Sequence, residues 1–264
     1  MAKKAGWTTP ATESLRASTL GPIADFDPDS TPGFDGDRDL GAELLTERGE
    51  VLADLQELLF ANGRSGDHRS VLLVLQAMDS AGKGGIVRHV VGSVDPQGVS
   101  LVAFKRPTPE ELAHDFLWRI EKHVPDAGFI GVFDRSHYED VLIGRVRSLA
   151  PPEEIERRYG AIVDFEKRLT DRGVRIVKVM LHISREEQKA RLLARLADPA
   201  KHWKYDPGDV DERAASYRER GVPDDVAGEV AMSLHRFCLL DIIDSAEIAG
   251  PGFLNVTLDA ASAG

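Results

Sequence analysis

Residues 72–85 read LLVLQAMDSAGKGG, an apolar run followed by a loop that contains Gly82 and Lys83. An apolar strand that enters such a loop, with a helix behind it, is the layout of a phosphate-binding P-loop. The backbone N–H groups and the helix N-terminus form a concave anion site, and Lys83 adds a positive charge for a phosphate. The pattern G-x-x-x-x-G-K-[ST] is matched with two departures, since Ala77 replaces the first glycine and Gly84 replaces the Ser/Thr.

Strand-like and helix-like segments alternate along the chain around this loop. Apolar runs predict strands at residues 71–76, 99–104, 128–134 and 175–183. Helical spacing predicts helices at residues 40–61, 83–91, 109–122, 136–147, 152–171 and 185–196. We therefore predict an α/β fold with a parallel sheet, whose ligands bind at the carboxyl ends of the strands.

Composition limits the classes of function. The chain of 264 residues is long enough for one large α/β domain, and its net charge of −11 argues against general nucleic-acid binding. Basic residues nevertheless gather near the predicted site, which indicates a positive channel. No apolar run approaches the roughly 20 residues that span a bilayer, and no apolar segment follows the N-terminal lysines. We therefore expect no membrane segment and a cytoplasmic location.

The chain divides into three predicted segments. Residues 1–39 are rich in Pro, Gly and Asp and are expected to form an irregular arm. Residues 40–217 are expected to form the P-loop domain, with a lid near residues 191–213. Residues 218–264 are expected to form an atypical tail.

The predicted lid is rich in positive charge. Arg191 and Arg195 lie at i and i+4, so they share one face of a helix that leads into DPAKHWKYDPGD. That stretch carries Lys201 and Lys204. A mobile segment of this kind can bring cations over phosphates. The alternative is a solvated helix face followed by an ordinary loop.

Carboxylates near the P-loop are candidates for metal binding. Asp134 ends the apolar run GFIGVF, the setting of a Walker-B aspartate that holds Mg²⁺ beside phosphates. The alternative for Asp134 is a cap of the following helix. Asp79, inside the loop, is expected to hold metal or to orient the attacking oxygen, and the alternative is an Asx-turn. Arg135 is placed to neutralise charge on a transferred phosphoryl group.

Several separated blocks of the chain resemble polyphosphate kinase family 2. They are STPGFDG, LLVLQAMDSAGKGG, VDPQGV, FKRPTPEELAHDFLWRI, GVFDRSHYEDVL, and HISREEQKARL followed by DPAKHWKYDPGDVDER. Members of this family are polyphosphate:nucleotide phosphotransferases with a thymidylate-kinase-like P-loop fold. The resemblance, which runs from about residue 30 to about residue 217, implies a three-layer fold with a parallel sheet and a helical lid. The form SHYEDVL resembles the branch that acts on nucleoside monophosphates.

The motifs and the resemblance together predict the site residues. The predicted catalytic residues are Asp79, Lys83, Asp134, Arg135 and Arg195, with Asp79 and Asp134 as ligands of Mg²⁺. Phosphate or nucleotide is expected to be bound by Ser80, Ala81, Gly82, Gly84, Gly85, Lys105, Arg106, Tyr138, Glu139, Arg191, Lys201 and Lys204. The expected partners are inorganic polyphosphate and AMP or ADP, together with further copies of the chain in a homo-oligomer.

The sequence departs from the family pattern in two places. The family usually has glycine at the position of Ala77; if that position needs a positive φ, the methyl group costs on the order of 1 kcal/mol. After Tyr217 the family continues with a helix and an A-P-W segment that this chain lacks. Residues 244–260, DSAEIAGPGFLNVTLDA, instead resemble the end of the N-terminal domain of arginyl-tRNA synthetases.

The resulting functional prediction is a Mg²⁺-dependent phosphotransferase. It moves the terminal phosphoryl group of polyphosphate to a nucleoside mono- or diphosphate. Two alternatives stay open. One is an ATP-dependent nucleotide kinase of the same fold, and the other is a non-catalytic phosphate-binding module inactivated by the altered C-terminus.

Overall fold

The structure is a computed structural model that describes residues 6–16, 26–77, 80–146, 150–198, 247–248 and 254–255. The α-helices are α1 (Ala11–Ser14), α2 (Arg38–Arg64), α3 (Lys83–His89), α4 (Pro109–Leu112), α5 (Trp118–Glu121), α6 (Glu139–Val146), α7 (Pro152–Asp171) and α8 (Arg185–Ala197). The strands are β1 (Ser70–Ala77), β2 (Val99–Ala103), β3 (Ile130–Asp134), β4 (Val174–Leu181), β5 (Glu247–Ile248) and β6 (Leu254–Asn255).

Strands β1 to β4 form one parallel sheet in the order β2-β3-β1-β4. Strand β1 is central, with Leu75 opposite Asp134 of β3 and Ala77 opposite Leu181 of β4. The carboxyl ends of β1 and β3 are therefore direct neighbours. This sheet confirms the predicted α/β architecture and explains why the strand runs are almost continuously apolar.

Helices cover both faces of the sheet, so the fold has three layers. Alternate residues of β1 enter two separate cores: Leu72 and Val74 pack with Phe165 of α7, whereas Leu75 packs with Ile86 of α3. Burial on both faces fixes the register of β1, because a slip by one residue would exchange the two sets of side chains. The end of β1, where the P-loop begins, is thus held in a rigid frame.

Two predicted helices differ in extent from those in the structure, and the first difference has a local cause. The helix expected at 109–122 is broken into α4 and α5. Thr108 and Glu111 form a capping box at the start of α4, and the carboxylate of Asp115 accepts a hydrogen bond from the Leu117 amide. Such side-chain bonds to the backbone compete with helix continuation. The helix expected at 136–147 begins only at Glu139.

Two aromatic rings pair within the N-terminal segment. Trp7 forms a bridge with Phe34, and their ring centroids lie 5.1 Å apart. The carboxylate of Asp37 then accepts a hydrogen bond from the Leu40 amide and caps α2.

The division into arm, domain and tail stays a prediction. The tail lies outside the described residues except for β5 and β6, which pair antiparallel.

Within the described parts of the chain, no helix is both long enough and apolar enough to cross a bilayer. The expected cytoplasmic location stays a prediction.

Replacement of a buried aromatic residue tests the core between the sheet and α7. Phe165 is 1% exposed, so Phe165→Ala is expected to lower the free energy of unfolding by about 3–5 kcal/mol. Leu112 on α4 is 71% exposed, and Leu112→Ala is the control, with an expected change within about 0.5 kcal/mol. Urea denaturation of both variants measures the difference. Equal losses would show that α7 does not cover the sheet as described.

Candidate active site

The P-loop begins without strain at Ala77. Ala77 is the last residue of β1 and pairs with Leu181 in the ladder. Among the described non-glycine residues, a positive φ occurs at Ser80 (66°) and Arg135 (63°). Ala77 has the backbone conformation of a strand, so its methyl group does not incur the cost that a positive φ would impose. The left-handed positions lie further along the loop and at the end of β3.

Glycine is required where the loop turns into α3. Gly82 has φ 114° and directly precedes the first residue of the helix, Lys83. Gly84 and Gly85 are exposed, and a Cβ added at either would meet no atom within 4 Å. Open space therefore adjoins the start of α3, as a phosphate cradle requires. The other predicted loop residues, Ser80 and Ala81, are buried at 8% and 2% exposure, and their expected role in phosphate binding stays a prediction.

The ammonium group of Lys83 folds back over the loop. Its Nζ donates a hydrogen bond to the Ala77 carbonyl at 3.4 Å. The side chain is only half-buried. Lys83 thus holds a positive charge beside the cradle that its own helix terminus forms.

The end of β3 brings Asp134 and Arg135 beside the P-loop strand. The Arg135 amide donates to the Leu75 carbonyl at 3.1 Å, which ties the turn after β3 to β1. The Asp134 Oδ1 atom is buried and has no hydrogen-bond partner among the described residues. A buried carboxylate oxygen without a partner is costly unless a cation satisfies it. This position therefore fits a metal ligand.

The described residues contain no group of three or more His, Cys, Asp or Glu side chains that could hold a metal ion. Asp79, the other predicted ligand, lies outside the described residues. A metal at Asp134 would therefore need further oxygen ligands from Asp79, water or substrate phosphates, as Mg²⁺ sites beside phosphates commonly have.

Glu139, at the first turn of α6, interacts with the positive charges of Lys83, after β1, and Arg135, after β3. Burial raises the pKa of Glu139, and the nearby charges of Arg135 and Lys83 oppose that effect. The three side chains are therefore close enough to interact electrostatically. The structure thus brings together Lys83, Asp134, Arg135 and Glu139 of the predicted set.

Lys105 and Arg106 follow β2 and are exposed at the same edge of the sheet. The Lys105 carbonyl accepts a hydrogen bond from Nη1 of Arg119 at 2.8 Å. Nη2 of Arg119 also contacts Asp140 Oδ2 at 3.3 Å, so this buried arginine ties the loop after β2 to α6. Sequence reasoning missed Arg119; a charged residue within the apolar stretch FLWRI was the available signal.

The described part of the predicted lid reaches the P-loop. On α8, Arg191 Nη1 donates to the Ser80 carbonyl at 3.1 Å, and its Nε donates to Glu187 at 2.6 Å. The side chain of Arg195 and all of Lys201 and Lys204 lie outside the described residues. Their predicted roles therefore stay predictions.

Tyr138 faces a buried ionic network. The side chain is 2% exposed. Its hydroxyl donates to Glu166 Oε1 at 2.5 Å and accepts from Lys178 Nζ at 3.0 Å. His137 Nε2 contacts the same Glu166 oxygen at 3.1 Å. The structure thus gives the Tyr138 hydroxyl two protein partners, and its expected contact with nucleotide stays a prediction. His137, Glu166 and Lys178 were missed, although a lysine inside the apolar run RIVKVML was a signal.

Glu166 is ionised within this network. Burial alone would raise its pKa, but the hydrogen bond with His137 and the charge of Lys178 lower the pKa from 4.5 to about 2. Because the pKa is lower in the folded state, Glu166 stabilises the fold at pH values above about 4.5. That contribution is lost as the pH falls toward 2.

Replacement of Glu166 tests this contribution. In the wild type, protonation of Glu166 between about pH 5 and pH 2 is expected to remove up to about 3 kcal/mol from the free energy of unfolding. Glu166→Gln lacks the titrating group, so its unfolding free energy should change less over that interval. Urea denaturation at a series of pH values measures both slopes. Glu156→Gln, an exposed change on the same helix, is the control and should keep the wild-type slope; equal slopes in all three proteins would contradict the assignment.

Comparison with known proteins gives a consistent picture. The family described as Polyphosphate kinase 2 (PPK2) matches residues 37–220. The AMP/ADP-polyphosphate phosphotransferase of Meiothermus ruber is 46% identical over 188 residues, which cover 71% of this chain and 69% of the relative. The ADP-polyphosphate phosphotransferase of Rhodopseudomonas palustris is 46% identical over 183 residues, covering 65% of this chain and 62% of the relative.

Solved structures agree with these relatives. The crystal structure of polyphosphate kinase 2 from Arthrobacter aurescens TC1 superposes with a TM-score of 0.81 at 53% identity, covering 90% of this chain and 83% of that one. A putative polyphosphate kinase 2 from Pseudomonas aeruginosa gives a TM-score of 0.70 at 29% identity, covering 84% of this chain and 44% of that one.

Proposed function

We propose that this chain, which belongs to the polyphosphate kinase 2 family, transfers the terminal phosphoryl group of polyphosphate to AMP or ADP. The observation that carries the proposal is the juxtaposition of two strand ends. The P-loop cradle at the end of β1 lies beside Asp134, whose buried Oδ1 has no hydrogen-bond partner among the described residues. A phosphate site next to a metal-ready carboxylate is the arrangement that phosphoryl transfer uses.

The names of the relatives support the substrates. Both phosphotransferases compared above are named for polyphosphate and ADP, and one of them also for AMP. The acidic chain would accept these polyanions at a locally positive edge of the sheet, where Lys83, Arg135, Lys105 and Arg106 lie. Local charge outweighs net charge at such short range, because salt screens the distant acidic residues.

A divalent metal requirement is general among kinases, and we propose Mg²⁺ as the metal. Asp134 would hold it, with Asp79 as the second predicted ligand. The bound metal would neutralise negative charge on the phosphate oxygens. The unpartnered oxygen of Asp134 supports this assignment.

The reaction needs no covalent enzyme intermediate. An oxygen of the acceptor's terminal phosphate attacks the terminal phosphorus of polyphosphate and forms a new P–O bond. The anhydride bond to the rest of the chain breaks, and the shortened polyphosphate leaves with the bonding electron pair. Lys83 and Arg135 would stabilise the charge that develops, so catalysis consists of positioning and electrostatic stabilisation.

The lid completes the proposed site. Arg191 already contacts the P-loop backbone at Ser80, which supports a role over the phosphates. Arg195, Lys201 and Lys204 would add further positive charge when substrate is bound. In other phosphotransferases, mobile segments likewise place arginines over the phosphates during phosphoryl transfer.

Comparison of phosphoryl donors tests the proposal against its first alternative. The protein is incubated with AMP and Mg²⁺ and with either polyphosphate or ATP, and the ADP formed is separated by chromatography. ADP formed from polyphosphate and none from ATP supports the proposal. ADP formed from ATP alone would establish an ATP-dependent nucleotide kinase. Polyphosphate binding without product from either donor would support a non-catalytic module.

We also propose that the chain associates with copies of itself. Val51, Leu55 and Leu58 lie on α2 at i, i+4 and i+7 and are 46%, 49% and 60% exposed. Such an apolar stripe supports an intermolecular contact. Light scattering of the purified protein measures the molar mass, and a mass equal to that of one chain would contradict the proposal.

A further inference from the structure

The turn that follows Asp134 is held from two sides. On the β1 side, the Arg135 amide bonds to the Leu75 carbonyl at 3.1 Å. Gln76 Nε2 donates to Ser136 Oγ at 3.3 Å, and that oxygen also accepts from the Tyr138 amide at 3.2 Å. These contacts fix the beginning of the turn to the strand that carries the P-loop.

On the opposite side, the turn contacts an ion pair between α7 and β4. Glu166 of α7 and Lys178 of β4 lie 2.8 Å apart, with side chains that are 3% and 9% exposed. His137 Nε2 and the Tyr138 hydroxyl both contact Glu166 Oε1. The two consecutive residues of the turn are thus anchored to one buried carboxylate.

This network is more than a means of filling the core. A buried ion pair contributes little net stability compared with apolar residues of similar volume, and it is strongly destabilising when one partner is removed. A buried carboxylate held by an ion pair accepts hydrogen bonds in defined directions, so it can fix the orientation of the groups that contact it. In this protein those groups belong to His137 and Tyr138, three and four positions after Asp134.

The geometry points to Lys178 and Glu166 as positioning residues for phosphoryl transfer, an inference that rests on the proposed function. Lys178 orients the Glu166 carboxylate, and Glu166 anchors His137 and Tyr138. The anchored turn in its left-handed conformation at Arg135 (φ 63°) then sets the direction of the Asp134 carboxylate and the Arg135 side chain. Neither Lys178 nor Glu166 touches substrate in this scheme. In this scheme Tyr138 has a positioning role.

The test neutralises the ion pair without leaving one buried charge alone. The main variant is the double replacement Lys178→Met with Glu166→Gln. Its matched control is Lys167→Met with Asp171→Asn, which neutralises an exposed pair on α7 whose charged atoms lie 2.7 Å apart. Each protein is studied by thermal unfolding, by the kcat and KM for AMP with polyphosphate as donor, and by hydrogen–deuterium exchange of residues 134–141.

The buried double variant is expected to fold, with faster amide exchange in residues 134–141 than the wild type. Its kcat should fall by roughly 10- to 100-fold, since a displacement of about 1 Å in a catalytic group can cost 100-fold. The KM for AMP should change much less than kcat, because neither replaced residue touches substrate in this scheme. The exposed control pair should match the wild type in all three measurements.

A second variant keeps the inference testable if the double variant does not fold. Tyr138→Phe removes one hydroxyl and should lower kcat by a smaller factor, with faster exchange in the same segment. Unchanged exchange in residues 134–141, or a kcat equal to that of the exposed control, would overturn the inference. If the wild type shows no phosphoryl transfer, the proposed function fails, and the exchange measurement alone decides whether the ion pair holds the turn.

Discussion

Asp134→Asn is expected to reduce phosphoryl transfer from polyphosphate to AMP by about 1,000-fold, the upper end of the range for loss of one preorganised electrostatic group. The physical reason is the loss of charge at a buried oxygen. Asp134 Oδ1 has no hydrogen-bond partner among the described residues, and an amide in its place cannot neutralise a divalent cation as a carboxylate does. The initial rate of ADP formation at saturating substrates measures the effect.

The fold of this variant should be retained. An asparagine has almost the shape of aspartate, and a neutral amide is less costly to bury than an unpartnered charge. Circular dichroism and thermal unfolding check this expectation. The control is Asp126→Asn, an exposed position before β3, which should keep the wild-type rate. A fully active Asp134→Asn would falsify the metal-binding role.

Lys83→Ala is expected to lower kcat/KM for polyphosphate by at least about 100-fold, the cost of removing a group that stabilises developing charge. The ammonium group lies over the loop, 3.4 Å from the Ala77 carbonyl, and Lys83 is the first residue of α3. Part of the loss should be in kcat, because the charge on the phosphate oxygens changes during transfer.

The control for this prediction is another lysine on a helix surface. Lys167 is 66% exposed and pairs with Asp171, so Lys167→Ala should have the wild-type kcat/KM. Steady-state kinetics with varied polyphosphate concentration compares the two variants. Loss of less than tenfold in Lys83→Ala would mean that the P-loop binds the phosphates through its backbone alone.

The positions of Lys83 and Asp134 could be predicted because their signals are local. A glycine-lysine loop after an apolar strand identifies the first, and a carboxylate at the end of a second apolar strand identifies the second. Alternation of strands and helices then implies that both strand ends lie at one edge of a parallel sheet. The observed register, with Asp134 opposite Leu75, agrees with that reasoning.

The network around Glu166 could not be predicted in this way. His137 and Glu166 are 29 positions apart, and Tyr138 and Lys178 are 40 positions apart. Their pairing depends on how α7 crosses the sheet, which no local pattern specifies. The same limit applies to the contact between the Tyr138 hydroxyl and Glu166, since a sequence motif does not specify which way a side chain points.

A side-chain hydrogen bond interrupts one helix that the hydrophobic periodicity predicts. Residues 109–122 have helical spacing, yet the structure breaks the helix after Leu112. The carboxylate of Asp115 bonds to the Leu117 amide and so competes with the helical hydrogen bonds. Side-chain competition of this kind depends on small energy differences, which a hydrophobic pattern does not reveal.

The most direct measurement of the central claim follows labelled phosphate. Polyphosphate labelled with ³²P is incubated with unlabelled AMP, Mg²⁺ and the full chain, and the nucleotides are separated by thin-layer chromatography. Label should appear first in ADP and then in ATP, and it should appear about 1,000-fold more slowly when Asp134→Asn replaces the wild type. If the label stays in polyphosphate, or is released only as free phosphate with the wild-type protein, the chain does not transfer phosphoryl groups to nucleotides.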